Sequence, residues 1–304
     1  MMTSIRFPDL TMLEPTLNHV SCPDASGGHR MAYWQWGPAD AGHVVICVHG
    51  LSRQGRDFDT LAQALLARAA PGTLRVVCPD VAGRGQSDWL KDPTGYQVPA
   101  YAADMLALIA QLRHTTLDWV GTSMGGLIGM AICGRQLASV RRLVLNDVGP
   151  TLQWQAIERI GAYLGQPVRF ATLEQAADAL LMISAGFGPH TREQWLVLTR
   201  PMLKPIEGDG FTLHYDPAIA IPFKSLTPEI AAQNEATLWQ LYDHITARTL
   251  LTRGAQSDLL TPETALAMTQ RGPKARLMEF AGVGHAPTFV ADNQVRAVCD
   301  FLLG

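Results

Sequence analysis

The sequence predicts an α/β fold, a doubly wound parallel sheet with helices on both faces. Two observations carry the prediction. Short runs of Val, Ile and Leu recur without polar alternation, as strands covered on both faces require. Between them lie longer segments whose apolar residues return every three or four positions. The length, 304 residues with 47% hydrophobic and 17% charged side chains, allows one large core and excludes global disorder.

Taken in order, Arg30–Trp36 alternates, and Val44–Val48, Arg75–Cys78, Leu117–Val120 and Arg141–Leu145 are the apolar strands. Asp57–Ala69, Pro99–Arg113 and Met124–Gln136 are the helices between them. Leu61, Leu65 and Leu66 mark the stripe of the first, and Met105, Leu108, Ile109 and Leu112 that of the second. Right-handed crossovers follow, with ligands expected at the carboxyl ends of the strands.

After Pro150 the rhythm breaks. Strands resume at Arg248–Thr252 and Ala275–Phe280, so 151–232 is expected to be a helical cap inserted between two core segments, 1–150 and 233–304. The cap's Trp154, Phe170, Met182, Phe187, Trp195, Met202, Phe211, Tyr215 and Phe223 are expected to form its own core.

Composition narrows the function classes. The net charge of −3, with no run of Lys and Arg, speaks against nucleic acid as a partner. The five cysteines are scattered without a Cys-x-x-Cys pair and are expected to be buried free thiols. The segment Met1–Asp9 lacks the apolar core of a secretory signal, and no apolar stretch approaches the ~20 residues of a membrane span. A cytoplasmic protein, monomer or homodimer, is expected. No His-Glu-x-x-His and no Cys/His cluster in the sequence suggests a metal. Gly50–Asp57 has the glycine spacing of a phosphate-binding loop, but Arg56-Asp57 replaces the Lys-Ser/Thr pair that nucleotide hydrolysis needs.

The chemistry centres on Gly121-Thr122-Ser123-Met124-Gly125-Gly126, directly after a strand and directly before a helix. A Gly-x-Ser-x-Gly turn in that context raises a serine hydroxyl over the sheet edge at a helix N-terminus. Such a hydroxyl needs a base, and the base needs an orienting acid. His285, in the Gly-flanked loop after Leu277–Phe280, is the base. Asp258, in the loop after Arg248–Thr252, is the preferred acid, giving the order Ser123, Asp258, His285. Asp147, at the end of Arg141–Leu145, is its rival. The oxyanion donors are expected to be the Met124 N–H and the Leu51 N–H, with Gly50 allowing the close turn and His49 shaping the loop.

Together, Val48-His49-Gly50, Cys78-Pro79-Asp80 with Gly83-Arg84-Gly85-Gln86-Ser87-Asp88, the serine elbow, Asp258 and Gly284-His285 resemble the α/β-hydrolase family, in its capped, esterase-like branch. The resemblance implies a mostly parallel eight-stranded sheet, a helical cap, a Ser-Asp-His triad and no cofactor. It gives Gly83–Asp88 a structural role. Only Gly50 follows His49, which departs from the glycine-rich oxyanion loop of some lipases, and Ser123 stands where dehalogenases and epoxide hydrolases use Asp.

The expected activity is hydrolysis of a small or medium carboxylic ester through an acyl-enzyme. The alternatives are carbon–carbon bond hydrolysis of a vinylogous diketone, and a ligand-binding protein that keeps the fold without turnover. Arg53, beside the oxyanion loop, is the candidate cation for a substrate carboxylate.

Overall fold

The computed structural model describes residues 14–304, so the segment Met1–Asp9 discussed above lies outside the described residues. The chain opens with an antiparallel hairpin, β1 (Thr16–Cys22) and β2 (His29–Trp36). Then come β3 (His43–Val48), α1 (Asp59–Arg68), β4 (Leu74–Pro79), α2 (Val98–Gln111), β5 (Thr116–Thr122), α3 (Met124–Gly134) and β6 (Arg142–Asn146).

From 151 onward the chain is mainly helical: α4 (Trp154–Tyr163), α5 (Leu173–Ile183), α6 (Arg192–Thr199), α7 (Ala220–Lys224) and α8 (Pro228–Asp243). A small hairpin, β7 (Leu203–Pro205) and β8 (Phe211–Leu213), interrupts it. The sequence reading did not anticipate these strands. Gly208, Asp209 and Gly210 all adopt positive φ and turn the chain between them. The core then resumes with β9 (Arg248–Gly254), α9 (Pro262–Gln270), β10 (Arg276–Phe280) and α10 (Asp292–Leu303).

The eight strands of the main sheet lie in the order β1-β2-β4-β3-β5-β6-β9-β10. β1 to β2 and β2 to β4 are antiparallel, and every other pairing is parallel. Both faces of β3 are buried: Val44, Ile46 and Val48 join the apolar layer under α2, α3 and α8, while Val45 and Cys47 join the layer under α1 and α10. The five cysteines are free and buried. Among the described residues, no helix is long and apolar enough to cross a membrane.

α8 runs across position 232, so the expected end of the cap falls within one continuous helix that packs on α3. Of the expected cap core, Trp195 and Met202 are buried with α5 and α6, and the Trp195 indole donates to the Ala177 carbonyl at 2.6 Å. Met182 is instead 83% exposed. The stretch after β8 is tied to the Gly83–Ser87 turn, where Gly85 N–H donates to the His214 carbonyl and Asp216 N–H to the Gly83 carbonyl.

Candidate active site

Ser123 stands between β5 and α3 with φ 50° and ψ −113°, a region that L side chains rarely occupy. The turn is held because its neighbours admit no side chain. A Cβ at Gly121 would collide with the Gly125 carbonyl, and one at Gly125 with the carbonyl of Val48 at the end of β3. The Ser123 N–H donates to the Asn146 carbonyl at 3.0 Å, locking the elbow to β6.

His285, five residues beyond β10, accepts from the Ser123 hydroxyl at Nε2, 3.1 Å away. Its Nδ1–H donates to Asp147 Oδ2 at 2.7 Å. The acid side is therefore a correction. Asp147, directly after β6, meets the imidazole, whereas Asp258 pairs with Arg159 at 2.8 Å and its side chain is 50% exposed.

The reason is position along the strand ends. Asp147 follows β6 without a gap, with φ 55°, a conformation Asp tolerates, and its side chain is fully buried. Asp258 lies four residues past β9, and the intervening turn brings Ser257 to Asp147 instead. Asp147 accepts the Ser257 hydroxyl at 2.6 Å, the Gly254 N–H at 2.8 Å and the His285 imidazole, so its charge is held by three donors. A hydroxyl, an imidazole and a buried carboxylate in one hydrogen-bonded chain can pass the serine proton to the ring and stabilise the resulting imidazolium.

Leu51 and Met124 border the cavity beside Ser123. Their backbone N–H groups have no hydrogen-bond partner among the described residues. A Cβ at Gly50 would rest 3.8 Å from the Ser123 Cβ, an ordinary contact, so the turn does not itself require glycine. What glycine leaves is space beside the hydroxyl. His49 is fully buried, its Nδ1–H donating to the Gly50 carbonyl at 2.7 Å and its Nε2 accepting from the Val81 N–H at 3.0 Å. Burial, with the nearby Arg84 and Arg53 charges, pushes its pKa down to about 3, so it is a neutral brace for this loop.

Arg84, in the turn to which the sequence gives a structural role, reaches both sides of the site. It is fully buried and makes no ion pair among the described residues. Its Nε–H donates to the Leu51 carbonyl at 2.9 Å, and Nη1 donates to the Ala82 carbonyl at 2.7 Å and the Tyr101 hydroxyl at 2.9 Å. Nη2 lies 3.7 Å from the Met124 sulfur, and the guanidinium sits over the Tyr96 and Tyr101 rings. A buried cation spread over these partners fixes Leu51 against Met124.

Arg53 is also a correction. It grips Asp57 through two bonds of 2.7 and 2.6 Å and donates to the Leu198 carbonyl at 3.2 Å. It borders a separate pocket of about 30 Å³ with His49, Phe187 and Pro287. Its charge is committed, because the acid four residues on matches the guanidinium fork.

The main cavity, about 560 Å³, opens beside Ser123. Its floor is α2 and α3, through Tyr101, Leu127 and Ala131. Its roof comes from α4, α7 and α8, through Ile157, Ile160, Phe223 and Leu238. The lining is mostly apolar. Elsewhere, Cys22, His29 and Asp104 bring possible metal-ligand atoms together, a cluster that the sequence separation of Asp104 conceals. Bonds to Asp104 at 3.1 Å and Asp24 at 2.9 Å hold the His29 ring as an imidazolium, its pKa raised to about 11, so a proton already occupies that position.

Known proteins share this arrangement of the chain. A family model described as "Alpha/beta hydrolase family" matches residues 45–300. A 3-hydroxybutyrate-oligomer hydrolase of Cupriavidus necator is 52% identical, covering 95% of this chain and 98% of that protein. A 2-(acetamidomethylene)succinate hydrolase of Mesorhizobium japonicum is 24% identical, covering 86% and 88% respectively. Among solved structures, an alpha/beta hydrolase of Novosphingobium aromaticivorans matches at 33% identity with a TM-score of 0.83, over 96% of this chain and 99% of that one.

Proposed function

The chain belongs to the alpha/beta hydrolase family and is a hydrolase, and from that premise we propose that it cleaves the ester bonds of short linear 3-hydroxybutyrate oligomers through Ser123. The observation that carries the reading is the continuous chain from the Ser123 hydroxyl through His285 to buried Asp147, set at the edge of an apolar cavity. The substrate class follows the 52% identical relative. It suits the lining, since methyl-branched ester units offer hydrocarbon surface and few donors. The carbon–carbon alternative loses the cation it invoked, because Arg53 is bound to Asp57.

In this mechanism Ser123 Oγ bonds to the ester carbonyl carbon as its proton passes to His285 Nε2. The carbonyl electron pair moves to oxygen, facing the Leu51 and Met124 N–H groups. Collapse breaks the bond to the alkoxy oxygen, which takes the proton from His285 and leaves. Water then attacks the acyl-serine, giving a proton to His285, which returns it to Ser123 as the acid departs. Each cycle consumes one water and yields one hydroxyl and one carboxylic acid. Asp147 keeps Nδ1 protonated and stabilises the imidazolium. The five free buried thiols favour a reducing, cytoplasmic setting.

The test is direct. Purified protein should release 3-hydroxybutyrate from the dimer, trimer and tetramer and should label with a fluorophosphonate at Ser123. Ser123→Ala and His285→Ala should each lower kcat by about 10⁴-fold or more, since such groups act as a unit. Oligomers left intact by a protein that labels would overturn the substrate class. A Ser123→Ala variant with undiminished turnover would overturn the mechanism.

A further inference from the structure

The cavity beside Ser123 is mostly apolar along its length, with a charge at its far end. Among the described residues that line it, Arg135 is the one charged group. Ser123 precedes and Arg135 follows α3, an 11-residue helix, so the two mark opposite ends of one cavity wall. At ~1.5 Å per residue they stand roughly 18 Å apart along the axis. Arg135 is exposed, as is Leu137 two residues on, which also lines the cavity, so this end opens to solvent. Its guanidinium makes no ion pair or side-chain hydrogen bond among the described residues, whereas Arg53 and Arg159 are each committed to a carboxylate.

This inference rests on the oligomer reading above and deepens it. An oligomer of 3-hydroxybutyrate carries one charge, the carboxylate at one end, and a chain of neutral ester units behind it. A channel with an apolar wall and one unpaired cation at its open end has the same pattern. We propose that Arg135 receives the terminal carboxylate of the oligomer and so selects substrates by length. In any such chain the carboxylate lies on the leaving-alcohol side of the scissile bond. Each unit adds four backbone bonds, about 4.8 Å when extended at the ~1.2 Å per bond of a stretched polypeptide. Two to three units therefore bridge the interval between Ser123 and the reach of the Arg135 side chain. The trimer and tetramer cut at the ester nearest the hydroxyl end fit, and the dimer falls short. The carboxylate remains at the solvent-facing mouth, so binding it does not require complete desolvation of either charge.

The experiment compares free-acid dimer, trimer and tetramer with their methyl esters, in the wild type and in Arg135→Gln, Arg135→Glu and Arg135→Lys. The wild type should favour the tetramer acid over its methyl ester by about tenfold in kcat/KM, as a charge-assisted contact at a partly wet site allows, and should show little such preference for the dimer. The preference should appear in KM. It should vanish in Arg135→Gln, invert in Arg135→Glu and partly survive in Arg135→Lys. Thermal melts of each variant within a few degrees of the wild type would assign the change to binding. A tetramer acid preference that Arg135→Gln leaves intact, or equal preferences at every chain length, would overturn the inference while leaving the oligomer reading in place. No turnover of any oligomer, acid or ester, would overturn both.

Discussion

Asp147→Asn keeps the size of the side chain but puts a donor where His285 needs an acceptor, so the ring loses the tautomer that leaves Nε2 free for the serine proton. A fall in kcat of about 10⁴-fold is expected, with the protein still folded. Asp258→Asn removes only a half-exposed ion pair with Arg159 and should leave kcat/KM within about twofold. Steady-state kinetics on both variants decides between the two acids, and a reversed result would return the role to Asp258. Arg84 acts at one remove, holding the Leu51 carbonyl and touching the Met124 side chain. Arg84→Lys keeps the charge but cannot reproduce the fork, and kcat should fall by about ten- to a hundredfold, below the cost of deleting an oxyanion donor. KM should change little, because the group acts on the transition state. A KM effect with unchanged kcat would make Arg84 a part of the scaffold only.

At the scale of elements, what was legible in the sequence was local. The serine elbow is a strand, a turn and a helix within a few residues, and the doubly covered strands announce themselves by continuous apolar runs. β1 was not seen, because an edge strand with one exposed face needs no such run, and only Val20 and Cys22 of its seven residues are buried. The acid was misassigned for a different reason. Which carboxylate reaches His285 depends on the path of two loops, and the useful signal was adjacency to a strand end, which Asp147 has and Asp258 lacks. Those two loops touch at Gly254, where a Cβ would collide with the carbonyls of Val283 and Gly284. Gly254→Ala should therefore push the His285 loop off β9. Activity should drop by about a hundredfold or more, as for catalytic groups displaced by about an ångström, while circular dichroism stays native-like. Full activity in that variant would show that the loop has another way to hold the imidazole.

For the whole molecule, two buried histidines of opposite character bound stability in pH. His49 is kept neutral, with its pKa lowered to about 3. In the unfolded chain it takes up a proton below about 6.5, so stability is lost as the pH falls from there. Asp80 opposes this in part: burial raises its carboxyl to about 6, and protonation near that pH relieves a buried charge. His29 works on the alkaline side. Its bond to Asp104 foremost, with the neighbouring Cys22 thiol and the bond to Asp24, raises it to about 11, so its stabilisation is complete below about 6.5 and drains away as the pH climbs towards 11. It also joins the turn end of the β1–β2 hairpin, where it faces Cys22, to α2 through Asp104, which gives an otherwise weakly buried edge its anchor. His29→Gln should cost about 2 kcal/mol at pH 7, the scale of hydrogen bonds to charged groups. It should also flatten the decline in Tm between pH 7 and 10, since a neutral amide has no proton to release. Melting curves across that range, wild type against variant, give the answer, and an alkaline decline of equal slope in both would place the anchoring charge elsewhere.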